Sequence, residues 1–130
     1  MPKSILLIDD DKLILVTLKR LLIREGYQVV TALNGEAALR KMKDDGFSLI
    51  ISDIKMPQMD GVETVRKIRE FLIQHGKHPI PEVFITGYAK EEICQKAREL
   101  NAAAYLEKPF DVKALQDTVR KLTENHDYYN

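Results

Sequence analysis

Two hydrophobic periods take turns along this chain: short, nearly continuous apolar runs, and longer segments in which apolar positions recur every three or four residues. The runs SILLI (Ser4–Ile8), QVVTA (Gln28–Ala32), SLIIS (48–52), EVFIT (Glu82–Thr86) and AAAYLE (102–107) predict strands. Between them the longer period predicts helices. The first runs from about Leu13 to Glu25 and is stopped by Gly26. The second follows Asn34 as N-cap and runs through Met42 to about Asp44. The third opens on Asp60 and Glu63 at capping-box spacing and carries Val65, Ile68 and Leu72. Ile93, Ala97 and Leu100 mark the fourth, and Leu115, Val119 and Leu122 the fifth.

The pattern is a βα unit repeated five times. Strands this apolar are expected to be buried on both faces, which requires a parallel sheet with helices on each side, a doubly wound α/β fold. Right-handed crossovers restrict its topology, and ligands of such open sheets bind beyond the carboxyl ends of the strands. On the first helix, Ile14, Leu18, Leu21 and Leu22 form the expected inward stripe. Val16 and Ile23, seven residues apart, stack on the opposite face among Lys12, Lys19 and Arg20.

Composition narrows the class without changing the fold. A chain of 130 residues with 45% hydrophobic and 31% charged positions reads as one globular domain over 1–124, followed by a short polar tail at 125–130. The formal net charge is zero, which argues against direct nucleic-acid binding, since that needs a basic surface. No segment approaches the roughly 20 apolar residues of a membrane span, and no signal peptide is read at the N-terminus. The single cysteine, Cys94, excludes an internal disulfide and reads as a buried small hydrophobe, so a cytoplasmic address is expected. HGKHPIP (75–81) is a turn-rich connection whose histidines, His75 and His78, lack metal-ligand company and are expected to be solvated.

Chemistry enters at the strand ends. SILLI runs straight into Asp9, Asp10 and Asp11, and like-charged neighbours raise the cost of ionising one another. IISDIKMPQMDG (50–61) carries Asp53 out of a buried strand into a loop bracketed by Pro57 and Gly61. The fold brings Asp53 to the acids of the first strand, and such a cluster calls for a cation. Oxygen-only ligands favour a hard ion such as Mg²⁺. EKPF (107–110) supplies an ammonium, Lys108, at the fifth strand's end, and Thr86 a hydroxyl at the fourth's. A carboxylate, a divalent cation, a lysine and a hydroxyl suit phosphoryl transfer with an aspartate as nucleophile. Taken singly, each residue has a plainer reading: Asp53 a turn cap, Lys108 a surface lysine, Thr86 a strand former, Tyr105 core, Gly87 a turn residue.

Together, Asp9–Asp10, DIKMPQMDG from Asp53, Thr86–Gly87, Tyr105 and Lys108–Pro109 resemble the receiver domains of response regulators, the CheY-like family, over essentially the whole chain. The resemblance implies a flavodoxin-like (βα)5 fold with a sheet of order 2-1-3-4-5. It implies that Asp53 accepts a phosphoryl group from a sensor histidine kinase or phosphotransfer protein. Asp10, Asp53 and the Lys55 backbone carbonyl would ligate Mg²⁺, with Asp9 helping through water. Lys108 would hold a phosphoryl oxygen, the Lys108–Pro109 bond would be cis, and Gly87 would contact the group through its backbone. Thr86 and Tyr105 would switch the face of the fourth helix, fifth strand and fifth helix, through which a downstream effector, or a phosphorylation-dependent dimer, would read the state. Lys55 and Tyr88 would tune dephosphorylation, and Val16 with Ile23 would dock the phosphoryl donor. The chain would then be a phosphoacceptor rather than an enzyme.

Two alternatives stand beside this reading. Asp9 and Asp11 form the D-x-D of a haloacid-dehalogenase-like phosphatase, although Leu13 stands where that family usually has Thr or Val. A receiver that signals without phosphorylation would be expected to have lost an acid or the lysine, and none is missing.

Overall fold

A computed structural model describes residues 2–44, 46–87 and 92–128. Its elements alternate as the two periods predict: β1 (Ser4–Ile8), α1 (Lys12–Arg24), β2 (Gln28–Ala32), α2 (Gly35–Lys41), β3 (Phe47–Asp53), α3 (Gly61–Gln74), β4 (Glu82–Thr86), α4 (Glu92–Glu99), β5 (Ala104–Glu107) and α5 (Val112–Tyr128). All pairings are parallel and the strand order is β2-β1-β3-β4-β5. This is the flavodoxin-like architecture expected from the sequence.

Alternation along the central strands feeds two cores. Ile5 and Leu7 of β1, with Leu49 and Ile51 of β3, face Leu15, Leu18 and Leu22 of α1 and Leu115 and Val119 of α5. The intervening Leu6, Ile8 and Ile50 face Ala38 and Met42 at the α2 end and Ile68 and Leu72 of α3. A third cluster, under α4, joins Ile54, Val62, Val65, Phe84, Cys94 and Ala97.

Several expectations need correction. Burial on both faces holds for the interior strands, but the edge strands β2 and β5 are only partly covered, because each has a neighbour on one side alone. The inward stripe of α1 centres on Leu15, Leu18 and Leu22; Ile14 and Leu21 flank it half-buried. Neighbouring helix positions stand about 100° apart, so a rotation of roughly 50° suffices to trade Ile14 for Leu15 while Leu18 and Leu22 stay inside. The second helix ends at its C-cap, Met42, short of Asp44. β5 begins at Ala104 rather than 102, since Ala103 already donates its N–H to the Glu82 carbonyl as the chain turns in. α5 runs on into the segment expected to be a tail.

Capping follows the sequence closely. Asp11, Asn34 and Asp60 each accept backbone N–H bonds at the start of α1, α2 and α3. His75 is exposed, as expected, but it caps α3, stacks on Phe71 at 4.1 Å and places Nδ1 2.8 Å from the Phe71 carbonyl.

Candidate functional site

Register brings the chemistry together. Asp53 closes β3 opposite Ile85 of β4, so Thr86 lies one residue beyond it on the neighbouring strand. Thr86 in turn pairs with Glu107 of β5, and the next residue, Lys108, donates its N–H to the Thr86 carbonyl at 2.7 Å. On the other side, Ile8 pairs with Ser52, which sets Asp9 beside Asp53. The Lys108–Pro109 bond is cis.

The acids are held by different means. Asp9 is fully buried; its Oδ1 accepts the Asp11 N–H at 3.0 Å and its Oδ2 lies 3.3 Å from Lys108 Nζ. Asp53 is buried, its Oδ1 accepting the Ile54 N–H at 2.8 Å and its Oδ2 lying 3.4 Å from the same ammonium. Asp10 is exposed. Carboxylate oxygens of Asp9, Asp10 and Asp53 all lie within 4.8 Å of one another. At the roughly 2.1 Å bonds that Mg²⁺ makes, neighbouring ligand oxygens of its octahedron stand about 3 Å apart, so the three carboxylates would draw together around the ion, and an all-oxygen donor set suits a hard divalent ion.

Electrostatics follow from burial. Desolvation lifts the Asp9 carboxyl to about 6, offset in part by the Asp11 N–H and raised further by Asp53. Burial likewise pushes Asp53 up, with Lys108 pulling the other way. Burial disfavours the Lys108 charge, but Asp53 and Asp9 outweigh it and hold that ammonium above its ordinary value. The self-repulsion expected of bare acids is thus relieved partly from inside the chain, by a lysine bridging two of them.

Asp11 is spent elsewhere. Its Oδ1 accepts from Leu13 N at 2.9 Å and Ile14 N at 3.4 Å, capping α1. That occupation removes the second acid of the D-x-D from the pocket and disfavours the phosphatase reading.

The remaining residues sort as follows. Thr86 is buried, and Cys94 Sγ lies 3.8 Å from its Oγ1. Tyr105, 40% exposed, stacks on Phe84; its hydroxyl accepts from Ala102 N at 3.0 Å and donates toward the Ala97 carbonyl at 3.0 Å. A side chain at Gly87 would meet only Lys108 Cβ, at 4.0 Å, so nothing described within the chain demands glycine there. Lys55 is exposed in the loop after β3, and Tyr88 lies outside the described residues. Val16 and Ile23 are 53% and 49% exposed on the outer face of α1, the helix that starts directly after the acids, and Leu13, 74% exposed, extends their stripe.

Two supports were not read from the sequence. Gly61 N donates to the Ile54 carbonyl at 2.7 Å, and a Cβ there would overlap the Asp53 carbonyl oxygen. Glycine following an N-cap aspartate was the available signal. Arg69 of α3 grips buried Glu82 with two bonds of 2.7 and 2.8 Å, fixing α3 to the start of β4; one arginine among many carried no such signal.

The family model described as the response regulator receiver domain matches residues 5–120. The transcriptional regulatory protein CrdR of Helicobacter pylori is 33% identical over 93% of this chain, which spans 55% of CrdR's length. The sporulation initiation phosphotransferase F of Bacillus subtilis is 32% identical over 93% of this chain and 94% of its own. A solved CheY-like receiver domain protein from Methanospirillum hungatei superposes with a TM-score of 0.87 at 30% identity, covering all of both chains.

Proposed function

The chain belongs to the response regulator receiver family of two-component systems, and from that premise we propose that it is a switch phosphorylated on Asp53. The observation that carries the proposal is the Lys108 ammonium between the Asp9 and Asp53 carboxylates, at the carboxyl ends of the strands, with Thr86 on the adjoining strand. A sensor histidine kinase or phosphotransfer protein supplies phosphohistidine. An Asp53 carboxylate oxygen attacks phosphorus, the O–P bond forms as the N–P bond breaks, and the leaving imidazole nitrogen takes a proton. The product is an acyl phosphate on Asp53.

Asp10 and Asp53, with the Lys55 carbonyl and Asp9, would hold Mg²⁺, which when bound supplies charge neutralisation for the incoming group. Lys108 shifts from bridging two carboxylates to holding a phosphoryl oxygen. Thr86 donates its hydroxyl to another, and Gly87 approaches through its backbone. Tyr105 then leaves its bonds to Ala97 and Ala102, altering the α4-β5-α5 face for an effector or for dimerisation. The chain turns nothing over beyond forming and losing its own acyl phosphate, with Lys55 and Tyr88 tuning the loss, and it works in the cytoplasm. Among the described residues, no helix is long and apolar enough to cross a membrane.

The test is mass spectrometry. With Mg²⁺ and a small acyl-phosphate donor the protein gains one phosphoryl mass, Asp53→Asn gains none, and EDTA blocks the gain. Equal labelling of Asp53→Asn would remove Asp53 from the role.

A further inference from the structure

α4 turns Cys94 and Ala97 toward the sheet. A cysteine among apolar neighbours ordinarily does no more than fill volume. Cys94 is only 3% exposed and packs with Ile54 and Phe84, yet its thiol is turned to a hydroxyl, donating to Thr86 Oγ1 across 3.8 Å. That hydroxyl is the one assigned above to the phosphoryl group. Beside it, a cavity of about 150 Å³ opens between Thr86, Cys94 and Tyr105, walled by Ile54, Phe84 and Leu106.

A threonine reorients by hopping between staggered χ1 wells, and space beside it makes the hop feasible. A buried hydroxyl gives up a partner cheaply only when it gains another, and an anionic phosphoryl oxygen is a stronger partner than a thiol. We propose that Cys94 is a positioning residue for phosphoryl transfer: its thiol holds the Thr86 hydroxyl toward α4 in the unphosphorylated protein and sets how readily that hydroxyl turns to Asp53. The inference rests on the reading of Asp53 as acceptor and Thr86 as its hydroxyl contact.

Two substitutions separate this role from packing. Cys94→Ala removes donor and volume, whereas Cys94→Val removes the donor and restores the volume. Circular dichroism melts establish how each folds, and labelling by a small acyl phosphate with Mg²⁺ is timed well below both midpoints. Loss of a weak hydrogen bond predicts that both variants label about two- to threefold faster than the parent. In a Thr86→Val background, where no hydroxyl remains to be held, neither substitution changes the rate. Unchanged rates in both variants, a change in only one, or a change that persists in the Thr86→Val background would overturn the inference while leaving Asp53 its role. A parent that takes no label on Asp53 would overturn the underlying reading and this one with it.

Discussion

Gly61→Ala tests how the acceptor is held. In an ordinary helix this substitution stabilises, because alanine gives up less backbone freedom than glycine, by about 0.5–1 kcal/mol. Here the new Cβ would overlap the Asp53 carbonyl oxygen and stand 2.9 Å from Ile54 Cα and 3.0 Å from the Asp53 carbonyl carbon. All three atoms are backbone, so no side chain can swing aside. The start of α3 must part from the end of β3 by about 1 Å, an overpacking strain of about 1–3 kcal/mol that exceeds the propensity gain. The bond from Gly61 N to the Ile54 carbonyl lengthens with it. For a domain of this size each kcal/mol lowers Tm by about 3–5 °C. The chain has no tryptophan, so melting is followed by circular dichroism. The same shift moves the Asp53 carboxylate against Lys108 and Thr86, and a misplacement of about 1 Å can cost up to about 100-fold in rate. Gly26→Ala is the control: its φ of +96° makes alanine strained, but nothing lies within 4 Å and the acids are remote. It should lower Tm while leaving the labelling rate of folded protein intact. If Gly61→Ala raises Tm, or labels at the parent rate, the close approach does not position Asp53.

Metal-free Asp10→Asn should melt at or above the parent, because an exposed acid that raises the Asp53 pKa leaves the cluster; clear destabilisation would reveal a structural partner. Without divalent ions, stability should fall as pH rises from about 4 to about 6. Asp9 binds its proton more tightly folded (about 6) than unfolded (3.8), so the stability it contributes is present at low pH and lost as it ionises, by about 3 kcal/mol at most. Urea melts across that range check the sign, and added Mg²⁺ should flatten the slope; stability rising over this window would refute it. Val16→Asp combined with Ile23→Asp should slow transfer from a cognate phosphohistidine protein while sparing labelling by a small acyl phosphate; equal loss with both donors would mean a damaged fold.

The elements were legible because their two periods are clean and the turn chemistry is conventional: Asp11, Asn34 and Asp60 all cap as their residue types suggest. Acids and lysine were legible because topology collects strand ends. Contacts made by backbone or by residues of ordinary type were not. Gly61 matters through a surface it lacks, and Glu82 is buried only because Arg69 happens to reach it. Helix rotation was misjudged where Ile14 and Leu15, both apolar, offered two nearly equal stripes; Leu15 is buried within the core cluster, and Ile14 packs half-buried at its edge.

Charge explains why a site made of acids can act as a switch. With Asp9, Asp10 and Asp53 ionised and Lys108 protonated, three carboxylates and one ammonium leave two net negative charges, which one divalent cation cancels. On the proposed chemistry, phosphorylation replaces the single charge of Asp53 with an acyl phosphate carrying close to two. One negative charge is then uncompensated in a pocket poorly screened by water, where it draws neutral donors strongly. Thr86, one residue beyond the register partner of Asp53, brings the hydroxyl, and what it leaves is the thiol of α4. The cavity it turns away from borders Tyr105, whose own hydroxyl ties the end of α4 to the turn before β5. On that proposal the excess of one charge at the strand ends is felt first at α4, which both hydroxyls touch through Cys94 and the Ala97 carbonyl, and the output face should lie there.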